Sequence, residues 1–112
     1  MRVVNLTPHD VTILPKSGRL VNIPRSGVVA RLSLNKSRSH TLEINGETIN
    51  VVKNEIKGLV TGLPSPAKDT IFIVSRDVAE FVGGRDDLYY PDSAIRDDEG
   101  IVVACKNLCQ IW

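Results

Sequence analysis

Apolar and β-branched residues recur along this chain in short clusters, each closed by Gly, Pro, Asn or Ser, which is the pattern of a small sheet or barrel and not of a helical bundle. The clusters predict strands near Arg2–Leu6, Asp10–Leu14, Arg19–Ile23, Val28–Leu34, Thr41–Ile44, Thr48–Val52, Ile56–Val60 and Thr70–Val74. Asn45-Gly46 lies between two of these runs, and both residues accept the positive φ that a two-residue hairpin turn requires. Lys36 to His40, between two others, reads as a polar hairpin loop.

One helix interrupts the pattern. Ser75 follows Ile71-Phe72-Ile73-Val74 and precedes Asp77, Val78, Ala79, Phe81 and Val82, so its hydroxyl is placed to cap a short helix ending at Gly83-Gly84. Val78, Phe81 and Val82 form its apolar stripe. A second hairpin follows, with Ala94-Ile95-Arg96, a turn at Asp97-Asp98-Glu99-Gly100, and Ile101 to Cys105. Gly62-Leu63-Pro64-Ser65-Pro66-Ala67-Lys68-Asp69 has no periodicity and reads as a stiff surface connection. The predicted class is therefore mainly β (α+β): a small antiparallel sheet or partly open barrel, with one short helix after Ser75, in a single domain spanning residues 1–112.

The first strand pattern is broken by Asn5-Leu6-Thr7-Pro8-His9-Asp10. Pro8 fixes its own φ and holds Thr7 extended, so Thr7, His9 and Asp10 are presented from a stiff corner. Two readings stay open: a general base with an orienting carboxylate, or a turn whose Thr and Asp bond neighbouring backbone amides. Arg85-Asp86-Asp87, followed by Leu88-Tyr89-Tyr90, is equally two-sided. Arg85 can take a phosphate in two hydrogen bonds, Asp87 ribose hydroxyls, and Tyr89 a base; alternatively Arg85 pairs with Asp87 to close a loop and Tyr90 is core. Pro24-Arg25-Ser26-Gly27 reads as a tight turn. Strand alternation puts Arg31 on the face of Val29, which favours the edge of a pocket.

Composition narrows the field. Fourteen basic residues against thirteen acidic give a formal charge of +1, too little for a broad field that would hold nucleic acid or an anionic membrane. No apolar run approaches a membrane span, and the opening Met1-Arg2-Val3-Val4 leads straight into a strand, so a cytoplasmic protein is expected. Cys105 and Cys109 are expected to stay reduced, as small buried apolar groups and not as part of a zinc site. Phosphate loops, serine nucleophile elbows and basic-aromatic stripes are absent from the sequence, which argues against P-loop enzymes, serine hydrolases and sequence-specific nucleic-acid binders. No cofactor or metal is expected. Trp112 is expected either to be tethered into the core or to contact another subunit.

Taken together, Asn5-Leu6-Thr7-Pro8-His9, Ile23-Pro24-Arg25-Ser26-Gly27-Val28-Val29-Ala30-Arg31, Gly62-Leu63-Pro64-Ser65-Pro66, Ile73-Val74-Ser75, Arg85-Asp86-Asp87, Pro91 and Arg96-Asp97 resemble a family of small phage- and prophage-encoded proteins without an assigned function. By analogy with counter-defence proteins of phages, the resemblance implies a non-enzymatic protein that binds a nucleotide-derived immune signal in the host cytoplasm without cleaving it. The ligand residues would be Thr7, His9, Arg31, Ser75, Arg85, Asp87 and Tyr89. Two other readings stand beside it. One is a module that binds a host protein or serves a virion; the other is a small hydrolase with His9 as general base and Asp86 or Asp87 assisting. A homo-oligomer that hides sheet edges is expected in any of these.

Overall fold

The computed structural model describes the backbone of residues 1–112 and every side chain apart from those of residues 54–58. Eight strands and one helix follow in the order β1 (Arg2–Asn5), β2 (Val11–Ile13), β3 (Val21–Ile23), β4 (Arg31–Ile44), β5 (Glu47–Thr61), β6 (Thr70–Ile73), α1 (Arg76–Val82), β7 (Leu88–Arg96) and β8 (Val102–Cys109). Six strands form one sheet in the order β1-β6-β7-β8-β2-β3, and β4 with β5 form a separate two-stranded ribbon.

The six-stranded sheet nearly closes on itself. Its two edge strands, β1 and β3, approach where Asn5 bridges to Arg25 in parallel fashion and the Ser26 amide donates to the Asn5 carbonyl at 3.0 Å. The expected mainly-β class with one short helix after Ser75 holds, and it takes the form of a partly open barrel. Strand directions are mixed. β1 pairs in parallel with β6, β6 with β7 and β2 with β8, while β7 with β8 and β2 with β3 are antiparallel.

Alternation along β1 and β6 sorts side chains between two cores, as the twofold period of a strand dictates. Val3 and Ile73 meet Val11, Ile13, Ile23, Cys105 and Leu108, contributed by strands from around the barrel. Val4, Phe72 and Val74 turn the other way, onto Leu6, Ala30, Val78, Ala79 and Leu88, under the helix and the base of the ribbon. Burial on both faces explains why β6 reads as the unbroken apolar run Ile71-Phe72-Ile73-Val74.

Several local expectations are corrected. Lys36–His40 is not a loop: β4 runs through it from Arg31 to Ile44, with an irregularity between Arg38 and His40, and the two runs expected at Thr48–Val52 and Ile56–Val60 are one strand, β5. Cross-strand pairing overrides the low β-propensity of the Asn, Lys and Ser residues there. Leu88-Tyr89-Tyr90 begins β7 and is not an aromatic loop, because Phe72 and Ile73 of β6 pair with Leu88 and Tyr89. In α1 the buried pair is Val78 and Ala79; Phe81 is 37% exposed. Ser75 is the N-cap residue, but its hydroxyl donates to the Asp77 carboxylate, which itself accepts from the Val78 amide, so Asp77 supplies the capping oxygen. Asn45 and Gly46, at φ 52° and 81°, make the expected turn at the ribbon tip.

The ribbon projects from the barrel. The Cα radius of gyration is 17.8 Å, against about 13 Å for a compact domain of this length. Its base is set by Gly62, at φ 78°, where an added Cβ would lie 2.3 Å from the Val29 carbonyl oxygen.

Two substitutions test this architecture. Asn5 is 1% exposed and its side chain makes four hydrogen bonds: Nδ2 donates to the His9 and Ile23 carbonyls at 2.9 and 3.1 Å, and Oδ1 accepts from the Thr7 amide and hydroxyl at 2.9 and 2.7 Å. Asn5→Asp keeps the shape and removes both donors, turning a carboxylate onto two carbonyls; urea unfolding is expected to show a loss of at least about 2 kcal/mol. Gly62→Ala adds a backbone clash to the strain of a positive φ and is expected to cost about 3 kcal/mol or more. Gly46→Ala, at φ 81° with open space around it, carries the strain alone and serves as the control. Equal losses for the two glycine variants would show that the close approach at Val29 is not limiting.

Candidate functional site

The corner expected from the sequence exists, and most of its polarity is spent holding itself. Asn5 occupies the centre. The Thr7 hydroxyl lies 2.7 Å from Asn5 Oδ1 and 2.9 Å from the His9 carbonyl, so its single proton serves two acceptors. Asp10 Oδ1 accepts from the Arg25 amide at 3.0 Å and does not orient His9. The His9 ring is exposed, and among the described residues it makes no hydrogen bond. Of the two readings of this corner, the geometry favours the turn.

Beside the corner lies an open groove of about 310 Å³ between the Leu6-Thr7-Pro8 segment, the start of β4 and the N-terminal end of α1. Thr7, Arg31, Ser75 and Asp77 supply its polar groups. Leu6, Pro8, Val29 and Leu32 supply apolar wall. Three expected ligand residues, Thr7, Arg31 and Ser75, therefore share one concavity although they lie far apart in sequence. Asp77 is the member sequence reasoning missed; its signal is its place in the first turn of the helix, two residues after Ser75.

Arg31 is the cation of this groove. It is exposed and has no ion-pair partner among the described residues. Strand pairing of Arg31 with Thr61 fixes its backbone, and the Ala30 amide donates to the Leu6 carbonyl at 2.9 Å, so the groove walls are tied to each other beneath it. The Ser75 hydroxyl is directed to Asp77, which leaves the serine oxygen's lone pairs as acceptors.

Arg85, Asp87 and Tyr89 lie outside the groove lining. Arg85 Nε and Nη2 hold the two Asp87 oxygens at 3.0 and 2.8 Å, Nη1 donates to the Pro64 carbonyl at 3.0 Å, and the guanidinium carbon stands 5.8 Å from the centre of the Phe72 ring. The fork that would take a phosphate is thus filled by a carboxylate, and the Gly62-Leu63-Pro64 and Arg85-Asp86-Asp87 segments are strapped together. Tyr89 is half-buried in β7 opposite Ile73. Asp86 is exposed, and its carbonyl accepts from the Gln110 amide. His9, Asp86 and Asp87, the expected hydrolase set, are not among the groove's lining residues.

A second, smaller cavity of about 170 Å³ opens where β2 and β8 share only the Ile13–Cys105 pairing, and Cys105 lies against it. Burial pushes the Cys105 thiol above its ordinary pKa, which keeps it neutral and weakly reactive. Trp112 packs its indole near Gly83, at the end of α1, and remains 58% exposed. Among the described residues no helix is long and apolar enough to cross a membrane.

No family model, curated protein or solved structure matches this chain.

The strap makes a prediction about pH. The Arg85 side chain holds the Asp87 carboxyl below its ordinary pKa, chiefly through the hydrogen bonds and against the cost of partial burial. A depressed folded-state pKa stabilises the fold at pH above the unfolded value, near 3.9, and that stability is lost as pH falls through the folded value. Asp87→Asn is therefore expected to be less stable than the parent at pH 7, with the gap in melting temperature narrowing progressively below about pH 4. A gap that stays constant down to pH 2 would show that the pair contributes through packing alone.

Proposed function

We propose that this chain is a binding protein for a small, phosphate-bearing, nucleotide-like molecule, and that it acts by holding this ligand in the groove between the Thr7 corner, the start of β4 and the start of α1. The observation that carries the reading is Arg31: a guanidinium with no ion-pair partner among the described residues, on a concave surface that it shares with Thr7, Ser75, Asp77 and an apolar wall. Guanidinium geometry suits a phosphate taken in two hydrogen bonds, while Pro8, Val29 and Leu32 offer a face for an uncharged ring. The volume of about 310 Å³ sits at the lower end of small-molecule sites, which start near about 300 Å³.

Binding without turnover fits the groups present. Both hydroxyl protons of the groove are committed, that of Thr7 to Asn5 and His9 and that of Ser75 to Asp77, and no imidazole lines it. Under the resemblance to phage proteins, the role would be sequestration of a nucleotide-derived immune signal in the host cytoplasm.

Thermal melting against a panel of mono-, di- and cyclic nucleotides tests this. A ligand at a hundred times its dissociation constant adds about 2.7 kcal/mol of stability, and the parent protein is expected to show a clear upward shift with at least one of them. Arg31→Ala is expected to lose about 1.5–3 kcal/mol of binding, as removal of a charged hydrogen-bonding partner does, while melting unchanged without ligand. Ligand recovered intact after heat denaturation supports holding over cleavage. No shift with any phosphate-bearing compound would sink the reading.

A further inference from the structure

An isolated two-stranded ribbon is marginal in water, and it becomes stable when its apolar face is covered. The β4–β5 ribbon carries such a face uncovered. The register pairs Leu42 with Ile49, Ile44 with Glu47 and His40 with Val51, which puts Leu42, Ile44, Ile49 and Val51 on one side, with Leu42, Ile44 and Ile49 between 43% and 51% exposed. The opposite side carries Glu43, Thr48, Thr41, Asn50 and Arg38, with Val52 beside Arg38 as an isolated apolar residue.

The charges on the apolar face indicate what covers it. Along β5 the residues of that face are Glu47, Ile49, Val51 and Lys53: an acid, two apolar residues and a base, spaced evenly about Asn50. Glu47 and Lys53 lie about 20 Å apart along the strand, and among the described residues neither has an ion-pair partner within the chain. A twofold axis at the level of Asn50, perpendicular to the strands and lying between two stacked ribbons, runs β5 of one copy antiparallel over β5 of the other. Ile49 then lies over Val51, and each Glu47 meets Lys53 of the second copy, twice by symmetry. On β4 the same axis sets Leu42 at the level of His40. The row is complementary to itself only in this antiparallel arrangement; a parallel stacking would oppose like charges.

We propose that the β4–β5 ribbon is a self-association surface, through which two copies of this chain pack face to face with Glu47 of each paired to Lys53 of the other. The interface is isologous, the commonest kind in soluble assemblies, and it uses no residue of the groove lining.

Charge exchange tests it. Sedimentation velocity over a concentration series up to about 100 μM is expected to show a monomer–dimer equilibrium for the parent protein. Glu47→Lys and Lys53→Glu each replace two attractive pairs by two repulsive ones and are expected to raise the dimer dissociation constant about tenfold or more. The double variant, with both substitutions, restores opposite signs and is expected to dimerise like the parent. Both substituted residues are exposed, and far-ultraviolet circular dichroism checks that each variant keeps its strands. A parent that stays monomeric over the whole series, single variants that dimerise undiminished, or a double variant that fails to recover would each overturn the proposal.

Discussion

Closure of the barrel rests on one buried amide. A strand order that begins at β1 and ends at β3 leaves two edges, and the sheet becomes a barrel only where those edges meet. They meet at Asn5. Its backbone bridges to Arg25, while its side chain donates to carbonyls on either side, of His9 and Ile23, and accepts twice from Thr7. An apolar residue of the same size would leave the Ile23 and His9 carbonyls and the Thr7 amide without these partners, at a cost of about 1–3 kcal/mol for each group left dry. The segment Asn5-Leu6-Thr7-Pro8-His9 is therefore a seam first, and the groove beside it is a consequence: Leu6, buried next to Asn5, anchors Ala30 through its carbonyl and so places Arg31 at the rim.

The same logic separates the polar residues into two kinds. Asn5, Asp10, Arg85 and Asp87 are used up inside the chain, joining strand to strand or loop to loop. Arg31, by contrast, is delivered to a concave surface with no ion-pair partner among the described residues. Residue type does not distinguish them, since Arg85 and Arg31 are the same side chain. What distinguishes them is whether the fold closes a carboxylate onto the guanidinium, as Asp87 closes on Arg85.

This explains what was legible in the sequence. The apolar clusters, the Asn45-Gly46 turn and the helix after Ser75 follow from local rules of period and φ, and the structure has them. The partnership of β1 with β6 and of β2 with β8 has no local signature, because a parallel pairing leaves no hairpin turn behind. The Lys36–His40 segment was misread for a related reason: its polar residues belong to a ribbon that touches solvent on most of its surface, so alternation is weak there although pairing is continuous. At the site, Arg31 and Val29 do line one groove, but Val29 precedes β4, so strand alternation is not what puts them there. The Arg85–Asp87 pair is one of the two arrangements the residues allow, and the fold decides for it over a free phosphate-taking fork.

The parallel pairing of β1 with β6 also imposes an order of events on folding. Arg2 pairs with Thr70 and Asn5 with Ile73, so the ladder of the first strand comes from chain beyond the ribbon, and its contact with the β3 edge is the Asn5–Arg25 bridge. The ribbon closes around a two-residue turn at little loop entropy, whereas joining distant strands carries the entropy of a long loop. An early hairpin shortens that loop: with β4 and β5 zipped, Arg31 stands opposite Thr61, and the span from β1 to β6 contracts by the whole length of the ribbon. Pairing within the projecting element therefore lowers the chain entropy that β1 and β6 give up on meeting, while the Asn5 seam between β1 and β3 lies wholly ahead of it in the chain.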